Sequence, residues 1–242
     1  MSVPRIHFDA TLTAGAELSL PEGPARHVAA VLRLREGAAL TLFDGRGQEA
    51  AAVLVEVTRK RVVARIEAVE AGRGESPLAV HLGQAISKGD RMDYAIQKAV
   101  ELGVASITPL YTEHGDVRLK GEREARKLAH WQGVASSACE QSGRATVPTI
   151  HPPQPLGAWL ASRDEALRLM LHPATDTSWQ QAGEITSAAL LIGPEGGLSP
   201  AEVDAATKAG FTPLTLGPRI LRTETAPVVA LTLLQHYFGD MG

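Results

Sequence analysis

Two glycine-containing segments in the C-terminal third of the sequence have the composition of ligand-binding loops. Residues 191–199 contain three glycines and Glu195, and residues 216–225 contain two arginines and Glu224. Each segment follows an apolar run typical of a strand and precedes a helical pattern. Both are therefore expected at the carboxyl edge of a parallel sheet, where open α/β proteins bind their ligands. A phosphate fits the first segment poorly, because Glu195 would repel it, whereas a neutral or cationic ligand fits better.

The chemistry of these two segments also has purely structural interpretations. The first segment ends in the pattern of a capping box, with Ser199 as N-cap, Pro200 as first helical residue and Glu202 at the third position. This pattern predicts that a helix starts here. In the second segment, Thr223 or Thr225 are candidate helix caps, and Glu224 is placed to interact with a helix dipole.

Four further features are weaker candidates for chemistry. Residues 45–50 match a G-x-G-x-x-A dinucleotide fingerprint, but a strand-like run follows where that fingerprint needs a helix, so a hairpin turn is expected. Cys139 has no identified histidine partner and is interpreted as an inert, semi-buried thiol. The eight histidines show no metal-ligand spacing, so no metal is expected. The basic runs at 33–35 and 59–61 fit phosphate contacts or an ordinary solvated surface.

The elements around these motifs change character along the chain. Short apolar runs at 38–43, 50–57 and 62–69, separated by glycine and charged turns, predict a small β-barrel or sandwich. A helical patch near residues 24–36 interrupts these strands. Residues 71–77 are rich in glycine and charge and mark a domain boundary.

After this boundary, strands and helices alternate. A strand at 78–86, a helix at 90–102 capped by Asp90 and a strand at 104–110 form a βαβ unit, which requires parallel pairing. The remaining predicted elements are a helix at 122–142, strands at 167–171 and 188–192, a helix at 199–209, a strand at 214–216 and a helix at about 224–238. This alternation indicates an open α/β domain. The last helix is apolar nearly all round, so we expect a partner subunit to cover one side.

Composition bounds the class of protein. The chain has 242 residues, 44% of them hydrophobic, and a formal net charge of −3, which argues against a disordered chain and gives no support by itself to an RNA partner. No apolar run approaches the ~20 residues that span a bilayer. The N-terminal residues lack the pattern of a signal peptide, and the single cysteine indicates the reducing cytoplasm.

Taken together, the motifs resemble the bacterial ribosomal RNA small subunit methyltransferase E family, of the SPOUT class. The resemblance covers nearly the whole chain. In the C-terminal part the matching segments are residues 88–93, 96–104, 107–110, 138–144, 171–173, 192–199 and 216–225. In the N-terminal part they are Pro4-Arg5, His27-Val28, Val31 to Arg33, Gly37 and Phe43 to Gly45.

The resemblance implies a fold and a reaction. It implies an α/β, SPOUT-type open parallel sheet with a C-terminal trefoil knot over 78–242, a linker at 73–77 and a PUA-like RNA-binding barrel over 1–72. It also implies S-adenosylmethionine as cofactor, methylation of N3 of one uridine in the decoding region of 16S rRNA, and a cytoplasmic homodimer. The net charge is close to zero, so we expect local basic patches to bind a substrate that ribosomal proteins already shape. An assembled or partly assembled small subunit is therefore expected to be preferred over naked RNA.

The resemblance also implies the site residues. The knotted loops would hold the cofactor through Leu171, His172, Leu191, Ile192, Gly193, Pro194, Glu195, Gly196, Gly197, Leu216, Gly217, Ile220 and Leu221. We expect Arg222 to stabilise the uracil anion and Glu224 or Glu140 to accept its proton. Arg5, Arg33 and Arg144 are the expected RNA contacts.

Three other functions remain open at this point. They are a SPOUT enzyme acting on 23S rRNA or tRNA, a non-catalytic RNA-binding assembly factor, and a dehydrogenase that uses residues 45–50.

Overall fold

The structure divides the chain into two compact units. It is a computed structural model that describes residues 3–58, 61–172, 179–181 and 183–242. Residues Met1–Glu75 with Ser136–Val147 form what we call the N-terminal unit, and residues Ser76–Ala135 with Pro148–Gly242 form the C-terminal unit. The Arg59-Lys60 pair, the N-terminal Met1-Ser2 and Pro173 of the 171–173 motif lie outside the described residues.

The N-terminal unit is built on a five-stranded sheet. Its elements are β1 (Arg5–His7), β2 (Glu17–Ser19), α1 (Glu22–Arg26), a π-helix (His27–Val31), β3 (Ala39–Phe43), β4 (Gln48–Val57) and β5 (Val62–Ala71). The strand order is β1-β3-β4-β5-β2, with β1 and β3 parallel and the other pairs antiparallel. Apolar side chains that alternate along β3, β4 and β5, such as Leu40, Leu42 and Leu54, pack with Val28 of the π-helix into one core.

The three strands predicted here are confirmed, and so is the turn at the glycine motif. Residues 44–47 connect the antiparallel strands β3 and β4, and β4 follows where a dinucleotide site would need a helix. Gly45 and Gly47 have φ values of +76° and +103°, which glycine adopts without steric cost. The hairpin interpretation is therefore confirmed, and the dehydrogenase alternative loses its only motif. Strands β1 and β2 were not predicted from the sequence, because each has only three residues, which is too few to show an alternation of apolar and polar residues.

The C-terminal unit is an α/β sheet with a largely parallel order. Its elements are β6 (Ala79–Ala85), α2 (Arg91–Glu101), β7 (Val104–Tyr111), the first part of α3 (Glu122–Ser142), β8 (Thr149–Ile150), β9 (Gln154–Pro155), α4 (Leu156–Ala161), β10 (Leu167–Leu171), a 3₁₀ turn (Trp179–Gln181), β11 (Ser187–Ile192), α5 (Pro200–Lys208), β12 (Thr212–Leu214) and α6 (Ala226–Phe238). The sheet order is β12-β10-β11-β6-β7-β8, and every described pair in it is parallel. The predicted βαβ unit and α/β class are confirmed.

One stretch assigned by sequence to the second domain clusters with the first. Residues 136–147, the end of α3 and the segment after it, contact the N-terminal unit through several hydrogen bonds. The Glu140 carboxylate accepts from the His7 backbone N–H at 2.9 Å, and the Gly47 N–H donates to the Ala145 carbonyl at 3.2 Å. Hydrogen bonds between residues far apart in the chain produce no recognisable pattern in the local sequence. The sequence therefore assigned residues 136–147 to the second domain, because they continue directly from its preceding residues.

Two boundaries near the candidate loops differ from the prediction. The strand predicted at 214–216 lies at Thr212–Leu214, because Leu169 to Leu171 of β10 pair with these residues. The last helix begins at Ala226 rather than near Glu224, because the Ala226 N–H closes a turn on the Arg222 carbonyl at 2.9 Å. Both corrections lengthen the loop between β12 and α6.

Helix α6 is anchored by a buried polar side chain. Gln235 is fully buried, donates to the Leu102 carbonyl at 3.1 Å and accepts from the Ser76 hydroxyl at 2.6 Å. Ala230, Leu231 and Leu234 are also fully buried. By contrast, Tyr237 is half exposed. Within the described ranges, no helix has the length and apolar composition needed to cross a membrane.

Candidate functional site

A cavity of about 660 Å³ opens in the C-terminal unit at the carboxyl ends of β10, β11 and β12. Its walls come from the residues that directly follow these three parallel strands. Loops at this edge of an open sheet are free to shape a ligand crevice, because the strands fix only their starting points. We call the segment 193–199 the first loop and the segment 215–225 the second loop.

The first loop is shaped by close packing and a well-specified helix start. Gly193 is buried, and a Cβ at its position would lie 3.1 Å from Leu198 Cγ, so glycine is the residue that fits there. The Ser199 hydroxyl accepts from the Glu202 N–H at 3.2 Å, and the Glu202 carboxylate accepts from the Ser199 N–H at 2.9 Å. The predicted capping box is confirmed, and it fixes where the loop ends.

The second loop is joined to the first through Thr223. The Thr223 hydroxyl donates to the Gly193 carbonyl at 2.9 Å and accepts from Gln84 Nε2 at 3.1 Å. Thr223 and Gln84 are 5% and 1% exposed, so neither bond competes with water. The predicted role of Thr223 as a helix cap is therefore wrong. Thr225 occupies the N-cap position of α6, but its side chain makes no capping bond.

Charged and polar groups in the cavity wall have unused hydrogen-bonding capacity. Glu224 Oε2 and His172 Nδ1 are buried and have no hydrogen-bond partner among the described residues. Both residues line the cavity, together with the exposed side chains of Arg222 and Glu195. Because a buried polar atom without a partner costs free energy, a ligand that pairs with these atoms would be stabilised.

The structure brings most of the predicted cofactor residues to this cavity. All but two of them line it, namely Leu171, His172, Ile192, Gly193, Pro194, Glu195, Gly197, Leu216, Gly217, Ile220 and Leu221. Leu191 is the first exception, because its side chain is fully buried in the hydrophobic core of the sheet. Gly196 is the second, and it lines a neighbouring cavity.

The three predicted catalytic residues are divided between the two units. Arg222 and Glu224 both line the cavity. Glu140 belongs to the N-terminal unit, where its carboxylate accepts the His7 N–H. It is absent from the cavity walls as far as the described residues define them.

The three predicted RNA contacts have different environments in the N-terminal unit. Arg144 is 4% exposed and its guanidinium pairs with Glu75 at 2.7 Å. Arg5 is largely buried, pairs with Glu49 at 2.7 Å and lies over the Phe43 ring. Arg33 is exposed and has a φ of +53°, a left-handed conformation that follows the end of the π-helix.

Several residues of the site were missed from the sequence. Arg91, Leu198, Thr215 and Thr223 line the cavity, and Gln84 supports it. The signal for Gln84 was present, because a glutamine at the carboxyl end of an otherwise apolar buried strand needs partners. Cys139 is buried, and burial raises its pKa to about 11, which agrees with an inert thiol. The described part of the chain holds no group of three or more potential metal ligands.

Comparison with known proteins identifies the family. The RNA methyltransferase domain family matches residues 74–235, and the RNA methyltransferase PUA domain family matches residues 20–67. The ribosomal RNA small subunit methyltransferase E of Buchnera aphidicola is 36% identical, with 99% of this chain and 98% of that protein covered. This chain belongs to the ribosomal RNA small subunit methyltransferase E family.

A further relative and two solved structures agree with this assignment. The Bacillus subtilis member is 31% identical over 87% of this chain and 86% of its own length. The crystal structure of the Neisseria gonorrhoeae member bound to S-adenosylmethionine has a TM-score of 0.93 and 38% identity, with both chains fully covered. A Legionella pneumophila structure, solved in complex with SAM, has a TM-score of 0.96 and 43% identity over 99% of this chain and all of that one.

Proposed function

We propose that this chain transfers a methyl group from S-adenosylmethionine to N3 of one uridine in the decoding region of 16S rRNA, giving 3-methyluridine. The observation that carries the proposal is the cavity between the first and second loops, whose walls contain the family motifs. The Neisseria gonorrhoeae relative, which shares the fold over its full length, binds S-adenosylmethionine.

The residues of the cavity fit this cofactor. S-adenosylmethionine would supply an electrophilic methyl group on a positively charged sulfur. Glu195 and Glu224 place carboxylates in the wall, which favours a cationic ligand over a phosphate. The unpartnered His172 Nδ1 would gain a hydrogen-bond partner. Leu171, Ile192, Leu216 and Leu221 supply the apolar surface.

The chain's own residues then position and activate the base. A uracil N3 becomes nucleophilic once its proton leaves, so a proton acceptor, and a cation that stabilises the resulting imide anion, would both favour the reaction. We assign the cation to Arg222 and the acceptor to Glu224. Both line the cavity, and one oxygen of Glu224 is unpartnered. Glu140 is less suited, because its carboxylate already accepts the His7 N–H.

We propose that the N-terminal unit holds the RNA and that two copies of the chain associate. The PUA-domain match and the exposed Arg33 support the first proposal. The exposed Ile220 of the second loop and the half-exposed Tyr237 of α6 support the second, because large apolar side chains at these positions gain from being covered. A substrate in the small ribosomal subunit places the enzyme in the cytoplasm. The trefoil knot stays a prediction.

The decisive experiment uses labelled S-adenosylmethionine and unmodified small ribosomal subunits. After incubation, the rRNA is digested to nucleosides and analysed by mass spectrometry. Labelled 3-methyluridine is the expected product. A labelled 2′-O-methyl nucleoside, or label only in 23S rRNA or tRNA, would move the substrate to another RNA. Absence of both label and cofactor binding would favour a non-catalytic assembly factor.

A further inference from the structure

A second cavity, of about 370 Å³, lies beside the candidate cofactor cavity in the C-terminal unit. Arg91 and Glu195 line both cavities, so the two share a wall. The other charged or titratable groups in the second cavity are Lys88, His114 and Asp116, and Gly196 forms part of its surface. We assigned the chemistry of methyl transfer to Arg222 and Glu224. Neither of them lines the second cavity in the part of the chain that the structure describes.

The second cavity belongs to the same edge of the sheet as the first. Its residues follow the carboxyl ends of three neighbouring strands: Ile86 directly follows β6, His114 follows β7 and Gly196 follows β11. Arg91 is the first residue of α2. A substrate that must reach the cofactor can therefore occupy this cavity and extend its reacting group across the shared wall.

The cations of the second cavity are held in exchangeable ion pairs. Lys88 Nζ lies 2.5 Å from Asp116 Oδ2, and Arg91 Nη1 lies 2.8 Å from Glu195 Oε1. All four side chains are between 42% and 71% exposed. Exposed pairs of this kind contribute little net stability, so a stronger anion can replace either carboxylate. The hydrogen bond from Lys88 lowers the pKa of Asp116, which keeps this competitor charged.

The wall around these cations is already ordered. The Arg118 guanidinium donates to the carbonyls of Thr112, Gly115 and Val117, which fixes the loop that carries His114 and Asp116. The His114 ring lies within hydrogen-bond distance of the Gly197 carbonyl, at 3.1 Å. A Cβ at Gly196 would lie 3.1 Å from His114 Cβ, so a side chain there would require a small shift of this part of the wall.

We propose that the second cavity binds a phosphodiester of the substrate RNA next to the target nucleotide, with its phosphate taking the places of Asp116 and Glu195 on Lys88 and Arg91. This rests on the proposed function, because it takes RNA as the substrate. A phosphate suits the site, since arginine pairs with it in a bidentate manner and lysine acts as a point charge. Asp116 and Glu195 then act as internal competitors that the RNA displaces.

The test compares two substitutions that break the same ion pair. Affinity for unmethylated small ribosomal subunits is measured by filter binding over a range of salt concentrations, with S-adenosylmethionine affinity measured separately by calorimetry. Lys88→Ala should weaken subunit binding and reduce the salt slope by about one, as expected for one lost phosphate contact. Asp116→Asn should tighten subunit binding by about two- to fivefold, because it removes the competitor. Cofactor affinity should stay unchanged in both variants.

The two substitutions should change the affinity for small subunits in opposite directions, and this distinguishes a role in binding from a role in stabilising the fold. If the pair only stabilised the fold, both substitutions would weaken binding, and that result would overturn the proposal. Lys208→Ala is the matched control, since Lys208 is an exposed lysine in the last turn of α5 outside both cavities as described. Lys208→Ala should lower the affinity for small subunits and the salt slope less than Lys88→Ala does.

The outcomes also distinguish this proposal from the function on which it rests. Methyl transfer by the unaltered chain, with no change of subunit affinity in Lys88→Ala, would keep the function and overturn the phosphate site. The expected pair of opposite shifts, without any methyl transfer, would keep the phosphate site and overturn the proposed reaction.

Discussion

The hydroxyl of Thr223 donates a hydrogen bond to the carbonyl of Gly193 across 30 positions of sequence, at 2.9 Å. This bond joins the second loop to the first at a point that is closed to water. Gln84, at the end of β6, completes the connection by donating to the same hydroxyl. The Thr223 side chain therefore helps to determine the shape of the cavity. We describe Thr223 as a positioning residue, because this role does not require contact with the reacting atoms.

Replacing Thr223 by valine tests this connection, because valine keeps the shape and removes the hydroxyl. The Gly193 carbonyl and Gln84 Nε2 would each lose a partner in a buried place. We expect a loss of stability of about 1–3 kcal/mol. We also expect weaker binding of S-adenosylmethionine. Thermal unfolding and calorimetric titration measure the two effects.

Thr223→Ser is the matched control, since serine restores the hydroxyl without the methyl group. It should recover most of the cofactor affinity. Equal losses in the valine and serine variants would show that packing of the methyl group, and not the hydrogen bond, determines the position of the loops.

Gly193→Ala tests the close packing of the first loop. The added Cβ would lie 3.1 Å from Leu198 Cγ, which forces Leu198 or the loop to move. Overpacking of this kind typically costs about 1–3 kcal/mol. Because both residues line the cavity, we expect cofactor affinity to fall as well. Titration with S-adenosylmethionine measures the change.

A second substitution makes the Gly193 prediction specific. Leu198→Ala creates space beside the new Cβ, so the double variant should bind the cofactor better than Gly193→Ala alone. If the double variant binds the cofactor no more tightly than Gly193→Ala, the contact between the new Cβ and Leu198 is not the cause of the loss.

The parts of this structure that the sequence predicted have local causes. The βαβ unit, α3 and the capping box at Ser199 follow from hydrophobic periodicity and side-chain chemistry within a few residues. The two loops were also found, because glycine-rich segments between a strand and a helix carry a local pattern. Arg222 and Glu224 line the cavity as a consequence of that placement.

The parts that were missed depend on contacts between distant residues. The Thr223 bond to Gly193 and the Glu140 bond to His7 span 30 and 133 positions. Arg144 was expected to contact RNA, but it is buried and its guanidinium pairs with Glu75, which lies 69 positions away in the sequence. Polar residues that serve a fold and polar residues that bind a ligand are alike in sequence until their partners are known.

Arg222→Ala tests the proposed electrostatic role of the second loop. If Arg222 stabilises the uracil anion, its removal should lower kcat by about 10²–10³-fold, as is typical for the loss of one such donor. Cofactor affinity should change much less than kcat, because the Arg222 side chain is exposed and its assigned partner is the uracil anion. Single-turnover methylation of small subunits and titration with S-adenosylmethionine separate the two quantities. Full turnover in a variant that binds the cofactor normally would contradict the role.

His81 predicts a pH dependence of stability in the C-terminal unit. Burial lowers its pKa below 6.5; Arg163 lowers it further, whereas Glu165 and Asp164 partly oppose the shift. Its ring lies 2.8 Å from the Ser106 hydroxyl. Burial likewise lowers the pKa of His151. Because the folded chain binds these protons less readily than the unfolded chain, stability is complete above about pH 6.5 and decreases as the pH falls towards the lowered values.

His81→Gln should reduce this dependence, since it removes one of the groups that protonates on unfolding. The measurement is the Tm between pH 7 and pH 5, where the unaltered chain should lose more stability than the variant. His236→Gln, at an exposed position on α6, controls for the general effect of replacing a histidine. The assignment to His81 would be wrong if its variant lost as much Tm over this interval as the unaltered chain, because the proton uptake would then arise at other groups.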